Sequence, residues 1–226
     1  MKYRNFSTGL LALCLFSPSG LWAQPSLDEI LSQMEKRGND LNSMRARILQ
    51  KKWTDILEEF DAGEEGTFLF LRHQGEVHLR KDIELPQISH FVISKGEVLF
   101  YQPAIKQAQK YQLGTNKDKA EFLLLGFGTS RSALEEAYEI RLLGNPELGG
   151  RPTYQIELKP RSDQVAAFFS RIVLWVDPEV WVPIQQMLVE PTDDYLLVNF
   201  EDIELNPKLK PSQFQLKIPA GVKFLG

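Results

Sequence analysis

Cysteine is nearly absent from this chain of 226 residues, which has one, Cys14, close to the N-terminus. The residues that follow it therefore offer neither a disulfide nor a thiol nucleophile. The sequence also lacks the G-x-S-x-G elbow of serine hydrolases, the G-x-x-x-x-G-K-[ST] phosphate loop and the H-E-x-x-H zinc motif. Because the motifs of these common enzyme classes are missing, we expect that the protein is not an enzyme.

Histidine is scarce as well. His73, His78 and His90 have no zinc-ligand spacing and no acid beside them in a recognisable pattern. His78 and His90 lie on neighbouring predicted strands and could approach each other, but surface or sheet-edge histidines are the simpler interpretation. Segment 126–130 imitates a glycine-rich phosphate loop, yet it follows a predicted helix rather than a strand. We therefore expect no metal and no cofactor.

Basic side chains are fewer than acidic ones. The chain has 26 basic and 30 acidic side chains, a net charge of −4. Segment 1–23 contains Lys2 and Arg4 but no acidic residue, so its removal would leave 24 basic side chains and a net charge of −6. An acidic chain without a basic block argues against nucleic acid or an anionic lipid surface as a partner.

The N-terminal segment has the layout of an export signal. Lys2 and Arg4 precede a short apolar run at 10–16, and Ala23 offers a small residue for cleavage. The run is too short to span a membrane. The alternative is a lipoprotein signal that uses Cys14, but Leu13 stands where such signals prefer a small residue. We expect a signal peptide over 1–23, cleaved after Ala23, and one domain over 24–226, since no repeat or linker divides the rest.

Helical patterns occur in two places. Ser26 and Glu29 have the spacing of a capping box. The apolar residues that follow recur at i, i+3, i+4 and i+7 and predict a helix with one buried face, which Gly38 is expected to end. The stretch 116–128 begins polar and ends apolar, and 132–137 is expected to add another turn. An apolar helix end must be buried, and a sheet face is the available partner.

Most of the remaining chain alternates with a period of two. This pattern predicts strands over 66–72, 77–80, 88–93, 98–101, 153–159, 168–176, 181–189, 195–205 and 214–218. Tight turns such as Lys95-Gly96 join several of them. Short sequential strands with tight turns favour an antiparallel sheet, so the predicted fold class is α+β.

One strand carries an unusual face. Phe68, Phe70 and Arg72 point to the same side of the strand at 66–72. A buried guanidinium is costly unless carbonyls or a carboxylate receive it, so Arg72 either finds such partners or emerges at the sheet edge. Three further strands have similar apolar faces, and composition leaves open whether they form a core or line a ligand cavity: Phe91 and Ile93, Leu99 and Tyr101, and Phe168 with Ile172, Leu174 and Val176.

Four stretches, in this order, resemble the periplasmic outer-membrane lipoprotein carriers, the LolA-like family. They are the N-terminal helix with the following strand 41–50, the Gly66-x-Phe68-x-Phe70-x-Arg72 strand, the turn and aromatic strand 94–103, and the C-terminal segment 209–222. Together they span nearly all of residues 24–226. The family usually places a proline after the arginine, whereas His73 follows Arg72 here.

The resemblance implies a strongly curved antiparallel sheet, an incomplete barrel, with helices covering its concave face. In that family an arginine at the place of Arg72 bonds backbone carbonyls of a lid and holds it closed. The implied lid residues are Phe122, Leu123, Leu124, Leu125 and Phe127. The implied cavity residues are Phe68, Phe70, Leu79, Phe91, Ile93, Leu99, Tyr101, Phe168, Ile172 and Leu174.

The function implied by the resemblance is that of a periplasmic chaperone. It would shield the acyl chains of lipoproteins, take them from an inner-membrane release complex and deliver them to an outer-membrane acceptor, without a cofactor and as a monomer. A carrier of free lipid or glycolipid would need the same apolar groove and is the first alternative. A lipid-sensing module is a further one, for which we would expect a second domain. A lipid hydrolase ranks last, because the nucleophile motifs are missing.

Overall fold

The computed structural model describes residues 24–112 and 125–225. The signal peptide expected over 1–23 lies outside these residues, as do three of the expected lid residues, Phe122, Leu123 and Leu124. No helix within the two described ranges has the length and apolar character needed to cross a membrane.

Helix α1, Leu27–Asp40, begins as its sequence predicts. The Ser26 hydroxyl accepts a hydrogen bond from the backbone N–H of Glu29, and the Glu29 carboxylate accepts one from the Ser26 backbone N–H. Both bonds satisfy donors that a helix N-terminus leaves without partners. The prediction that Gly38 ends the helix is wrong, because α1 continues to Asp40 and Gly38 is buried within its last turn.

The strands of the N-terminal half form a meander, and those of the C-terminal half mostly do the same. The first seven strands are β1 Ser43–Thr54, β2 Glu59–Phe60, β3 Glu64–His73, β4 Glu76–Leu85, β5 Ser89–Ser94, β6 Glu97–Gln102 and β7 Gln107–Gln112. The others are β8 Tyr138–Gly144, β9 Glu147–Leu148, β10 Arg151–Pro152, β11 Tyr154–Pro160, β12 Arg171–Val176, β13 Pro183–Val189, β14 Tyr195–Leu205 and β15 Lys223–Leu225. Two short helices lie between them, α2 Arg131–Ala137 and α3 Asp163–Ala166.

One large sheet contains nearly all of these strands. Its order is β15-β7-β6-β5-β4-β3-β1-β14-β13-β12-β11-β8, with β2 paired to β1 and with β9 and β10 forming a separate pair. Every pairing in the large sheet is antiparallel except that of β15 with β7. The sheet is curved and does not close into a barrel. The predicted α+β class, with an incomplete antiparallel barrel and a few helices, is confirmed.

The two faces of the sheet bury different partners. The concave face carries the larger core clusters, and α1 covers part of it through Ile30, Leu31 and Met34. The opposite, convex face buries Leu69, Leu71 and Val92 under Phe214 of the C-terminal segment. The predicted strand at 214–218 is wrong, since Phe214 ends a 3-10 turn over Pro211–Phe214 that packs on the convex face.

Two aromatic-face predictions are corrected. Leu99 and Tyr101 lie on the convex face, because they pair with Val92 and His90, and Val92 belongs to the convex cluster. Phe168 is not part of a strand: the sequence at 163–166 forms α3, β12 begins only at Arg171, and the Phe168 side chain is 50% exposed. Because a helical turn lies where the strand was predicted to begin, the side chains from Phe168 to Ile172 do not alternate between two sheet faces.

Candidate functional site

The concave face of β3 to β6 is an apolar wall. Phe70 pairs with Leu79, Leu79 with Ile93, and Ile93 with Val98, so one row of hydrophobic side chains crosses four strands. All four are buried, at 6% exposure or less. Cross-strand partners in an antiparallel sheet point to the same side, which explains why a period of two in each strand produces this continuous surface.

An aromatic cluster stands on this wall. Phe127 is 1% exposed and contacts Phe68 and Phe200, with ring centroids 5.9 Å and 5.0 Å away. Phe68 and Phe200 are themselves 5.5 Å apart in an edge-to-face arrangement. Aromatic pairs at such distances add to the stabilisation from buried area. Phe127, one of the expected lid residues, is thus fixed against the centre of the concave face.

Arg72 lies at the end of β3 nearest to α1 and is partly buried. Its guanidinium donates to the carbonyl oxygens of Gly38 at 3.0 Å, Leu41 at 3.3 Å and Gly128 at 3.2 Å. Gly38 and Leu41 belong to the end of α1, where helix carbonyls have no intrahelical partner. A cation at this end is also favoured by the helix dipole. Arg72 therefore joins the sheet, the end of α1 and the segment containing Phe127.

Two glycines make this junction possible. A Cβ added to Gly38 would lie 2.9 Å from the Gly128 Cα, and one added to Gly128 would lie 2.3 Å from an Arg72 guanidinium nitrogen. Gly128 also has a φ of +103°, which side-chain-bearing residues rarely adopt. The close approach of α1 to the Leu125–Gly128 segment, which we call the anchor loop, therefore depends on glycine at both positions.

The anchor loop is also held at its other end. The Gln186 amide on β13 donates to the Leu125 carbonyl oxygen at 2.9 Å, and Gln186 is 5% exposed. Leu125 is 1% exposed and packs in the cluster under α1. Gln186 was not predicted from the sequence. A buried glutamine in a strand of apolar residues was the available signal, because such a group needs a partner.

A second cation, Lys81, points to the same concave face as Arg72, farther along the sheet. Lys81 on β4 pairs with Phe68 on one side and Phe91 on the other. Its ammonium donates to the Gln50 side-chain oxygen at 3.2 Å, and the Gln50 amide nitrogen donates to the Glu64 carboxylate. Burial lowers the pKa of Lys81 below its ordinary value, while the charge of Glu64 opposes that change. Lys81 was not predicted from the sequence, although its place between Leu79 and Ile83 in an alternating strand indicated that it faces the concave side.

Other predicted cavity residues have different surroundings. Ile172 and Leu174 are 1% and 0% exposed and belong to the cluster that α1 covers, so the helix occupies their part of the concave face. Phe91 packs at the edge of the apolar wall and stays partly exposed. Within the described residues, no group of three or more His, Cys, Asp and Glu side chains is arranged to hold a metal ion.

Comparison with known proteins places this geometry in a family. The family described as "Outer membrane lipoprotein carrier protein LolA" matches residues 40–217. No curated protein sequence matches the chain.

Several solved structures share the fold, among them two with a TM-score above 0.5. MucB is 15% identical with a TM-score of 0.53; the match covers 84% of this chain and 62% of MucB, so the chain spans less than two thirds of that protein. An uncharacterised conserved protein of Thermus thermophilus is 13% identical with a TM-score of 0.54, and the match covers 88% of this chain and 97% of that one.

Proposed function

Because the chain belongs to the LolA family, whose fold binds lipids and lipoproteins, we propose that it is a periplasmic carrier of lipoproteins. It holds the acyl chains of its cargo on the concave face and moves them from the inner to the outer membrane. The observation that carries this proposal is the apolar wall of β3 to β6, which stands next to a loop held by Arg72.

The physical chemistry of acyl chains explains why such a carrier is needed. Each CH₂ group of a lipid anchor contributes about 0.8 kcal/mol when it is taken out of water, so a long chain cannot cross an aqueous compartment unshielded. The carrier must bury most of this surface and still release it. A binding surface that opens by a small conformational step satisfies both requirements.

Arg72 is suited to control that step. Its bond to Gly128 connects the sheet to the anchor loop, and a hydrogen bond from a charged donor contributes about 1.5–3 kcal/mol. Breaking a few such bonds is within reach of a partner protein that binds the open form. Arg72 therefore acts as the latch of a lid that includes Leu125 and Phe127 together with Phe122, Leu123 and Leu124.

The other parts of the proposal concern the surroundings of the protein. A signal peptide over 1–23 directs export and is removed after Ala23. An inner-membrane complex loads the carrier, an outer-membrane acceptor receives the cargo, and the carrier works as a monomer without chemistry of its own. Among the relatives, LolA-family proteins are carriers and binding proteins rather than enzymes, which supports a role in binding.

The test is to identify what the exported protein binds. The chain is expressed with its own N-terminus and purified from the periplasm, and mass spectrometry identifies lipids and acylated proteins that copurify. Phe91→Asp places a charge on the apolar wall, and Tyr101→Asp makes the matched change on the convex face. We expect acylated proteins with the wild type and with Tyr101→Asp, and at least a fivefold loss with Phe91→Asp. Equal recovery from both variants, or no acylated protein with the wild type, would contradict the proposal.

A further inference from the structure

Lys81 is out of place in the apolar wall. Its neighbours on the same face are Phe68 and Phe91 across the two strand pairs, and Leu79 and Ile83 along its own strand. All four are hydrophobic, so a hydrophobic residue at position 81 would stabilise the packing more than a lysine does. A charged side chain in an apolar wall is destabilising unless it has a partner, so its presence calls for one.

The partners in the described structure are few. The ammonium group has three N–H donors, and one of them bonds a neutral amide oxygen, that of Gln50. No carboxylate of residues 24–112 and 125–225 lies within 4.0 Å of the Lys81 nitrogen. Glu64 is the nearest acidic group in the network, and it contacts Gln50 rather than Lys81.

The network orients Gln50 toward Lys81. The Gln50 amide nitrogen donates to the Glu64 carboxylate, so the amide oxygen faces the ammonium group. Lys81 remains partly exposed on the concave side, and Phe91 beside it is partly exposed as well. Two N–H donors of a cation therefore remain available next to a surface suited to hydrocarbon.

We propose that Lys81 anchors the anionic head group, a carboxylate or a phosphate, of a free acidic lipid whose acyl chain lies along the apolar wall. The inference rests on the proposed acyl-chain binding and extends its cargo. The acyl chains of a lipoprotein anchor are joined through neutral ester and amide groups, which do not need a cation. A free fatty acid or an acidic phospholipid carries an anion at one end of its hydrocarbon, as this site requires.

The test compares three amphiphiles with the same hydrocarbon chain, dodecanol, dodecanoate and dodecyl phosphate. Each is titrated, below its micelle concentration and near neutral pH, into the full mature chain loaded with the neutral fluorescent probe N-phenyl-1-naphthylamine. We expect both anions, or one of them, to displace the probe about tenfold more tightly than the alcohol, as one charge-assisted hydrogen bond would produce. A preference for the carboxylate indicates a fatty acid, and a preference for the phosphate indicates a phospholipid head group.

Three variants assign the preference to its residue. Lys81→Met keeps the length of the side chain and removes the charge, and we expect it to bind all three amphiphiles as the wild type binds the alcohol. Lys81→Arg keeps the charge and should retain the preference. Lys110→Met removes an exposed lysine of β7 that pairs with Glu97, and it should behave as the wild type. Thermal unfolding of each variant verifies that it is folded.

The outcomes separate this inference from the proposed function. Equal affinity of the wild type for alcohol and anions, or a preference that survives in Lys81→Met, overturns the role of Lys81 while acyl-chain binding stands. If none of the three amphiphiles displaces the probe, acyl-chain binding fails and the inference fails with it.

Discussion

Arg72 and Lys81 lie on neighbouring strands and point to the same concave face, yet their surroundings differ. The Arg72 guanidinium donates to three backbone carbonyls, whereas the Lys81 ammonium donates to one side-chain amide. Two of the carbonyls around Arg72 belong to the end of α1, where carbonyls lack intrahelical partners, and the third belongs to the anchor loop. Around Lys81 the neighbours are apolar strand residues. The Arg72 guanidinium thus holds three structural elements together, whereas the Lys81 ammonium keeps two N–H donors that no described group accepts, which is why we propose a ligand for it.

The same contrast applies to the two ends of the concave face. Near Arg72 the face is filled, because the two glycines let α1 touch the anchor loop. Near Lys81 most of the neighbouring apolar side chains are buried, and only Lys81 itself and Phe91 are partly exposed. We therefore expect substitutions at the Arg72 end to change stability and substitutions at the Lys81 end to change binding.

The largest effect is expected at Gly128. Gly128→Ala places a Cβ 2.3 Å from an Arg72 nitrogen and imposes a side chain at a φ of +103°, so it should lower the free energy of unfolding by about 3 kcal/mol. Gly75→Ala is the control, because Gly75 has a φ of +78° but nothing within 4 Å of an added Cβ. It should lose only about 1 kcal/mol. Urea unfolding measures both, and equal losses would mean that the contact with Arg72 is unimportant.

Arg72→Leu should have the next largest effect. Three carbonyls lose a donor, and we expect a loss of about 2 kcal/mol in unfolding free energy. Amide hydrogen exchange should become faster in the anchor loop, since its link to the sheet is lost. Arg45→Leu, which removes an exposed ion pair with Glu204 on the same sheet, should lose about 0.5 kcal/mol and leave exchange in the loop unchanged. Unchanged protection in Arg72→Leu would count against the latch.

Lys81→Met should change stability in the opposite direction. The pKa of Lys81 is lowered by burial, so the folded protein holds the proton less well than the unfolded chain, whose lysine titrates near 10.5. At neutral pH this lysine is therefore destabilising, and the wild type should gain stability as pH rises through the lowered pKa toward 10.5. We expect Lys81→Met to unfold at the same or a higher urea concentration, by up to about 1 kcal/mol, and to lose this alkaline dependence. A clear destabilisation would indicate that Lys81 is a structural cation like Arg72.

The smallest change in stability is expected on the convex face. There a buried histidine should make the free energy of unfolding depend on pH without affecting ligand binding. His78 is 2% exposed, packs on Phe214, and has its pKa lowered from 6.5 by burial. Below pH 6.5 the unfolded chain takes up a proton that the folded chain resists, so stability falls until the pH passes below the folded pKa. His78→Gln should flatten this dependence by up to about 1 kcal/mol, as measured by urea unfolding at several pH values. A pH dependence that survives unchanged in His78→Gln would refute the assignment.

The alternating pattern predicted correctly which residues of β3 form the apolar wall. It did not predict which residues of β6 do so. Within β3 the alternation places Phe68, Phe70 and Arg72 correctly on one face. The prediction that Leu99 and Tyr101 line the cavity was wrong, because alternation within one strand does not show how two strands are aligned. That alignment depends on the Lys95-Gly96 turn, which pairs Ser94 with Glu97 and so turns Val98 rather than Leu99 to the concave side.

The contacts of the anchor loop and of Lys81 were beyond the reach of local patterns. Gln186 and Leu125 are 61 residues apart in the chain, and Lys81 and Gln50 are 31 apart. Local periodicity indicates that a polar residue sits on an apolar face, but only the sheet order shows which residue it meets. The bonds from Arg72 to backbone carbonyls were expected only from the family resemblance, because a known family implies a known sheet topology.

The central claim is that acyl chains lie on the concave face between the apolar wall and the anchor loop. Its most direct test replaces Phe91 in one variant and Tyr101 in another with the photo-crosslinking residue p-benzoylphenylalanine, irradiates cells that produce each variant, and identifies the adducts by mass spectrometry. The account predicts adducts on acyl chains from the Phe91 position and none above background from the Tyr101 position. Acyl adducts at the Tyr101 position alone, or equally at both, would contradict it.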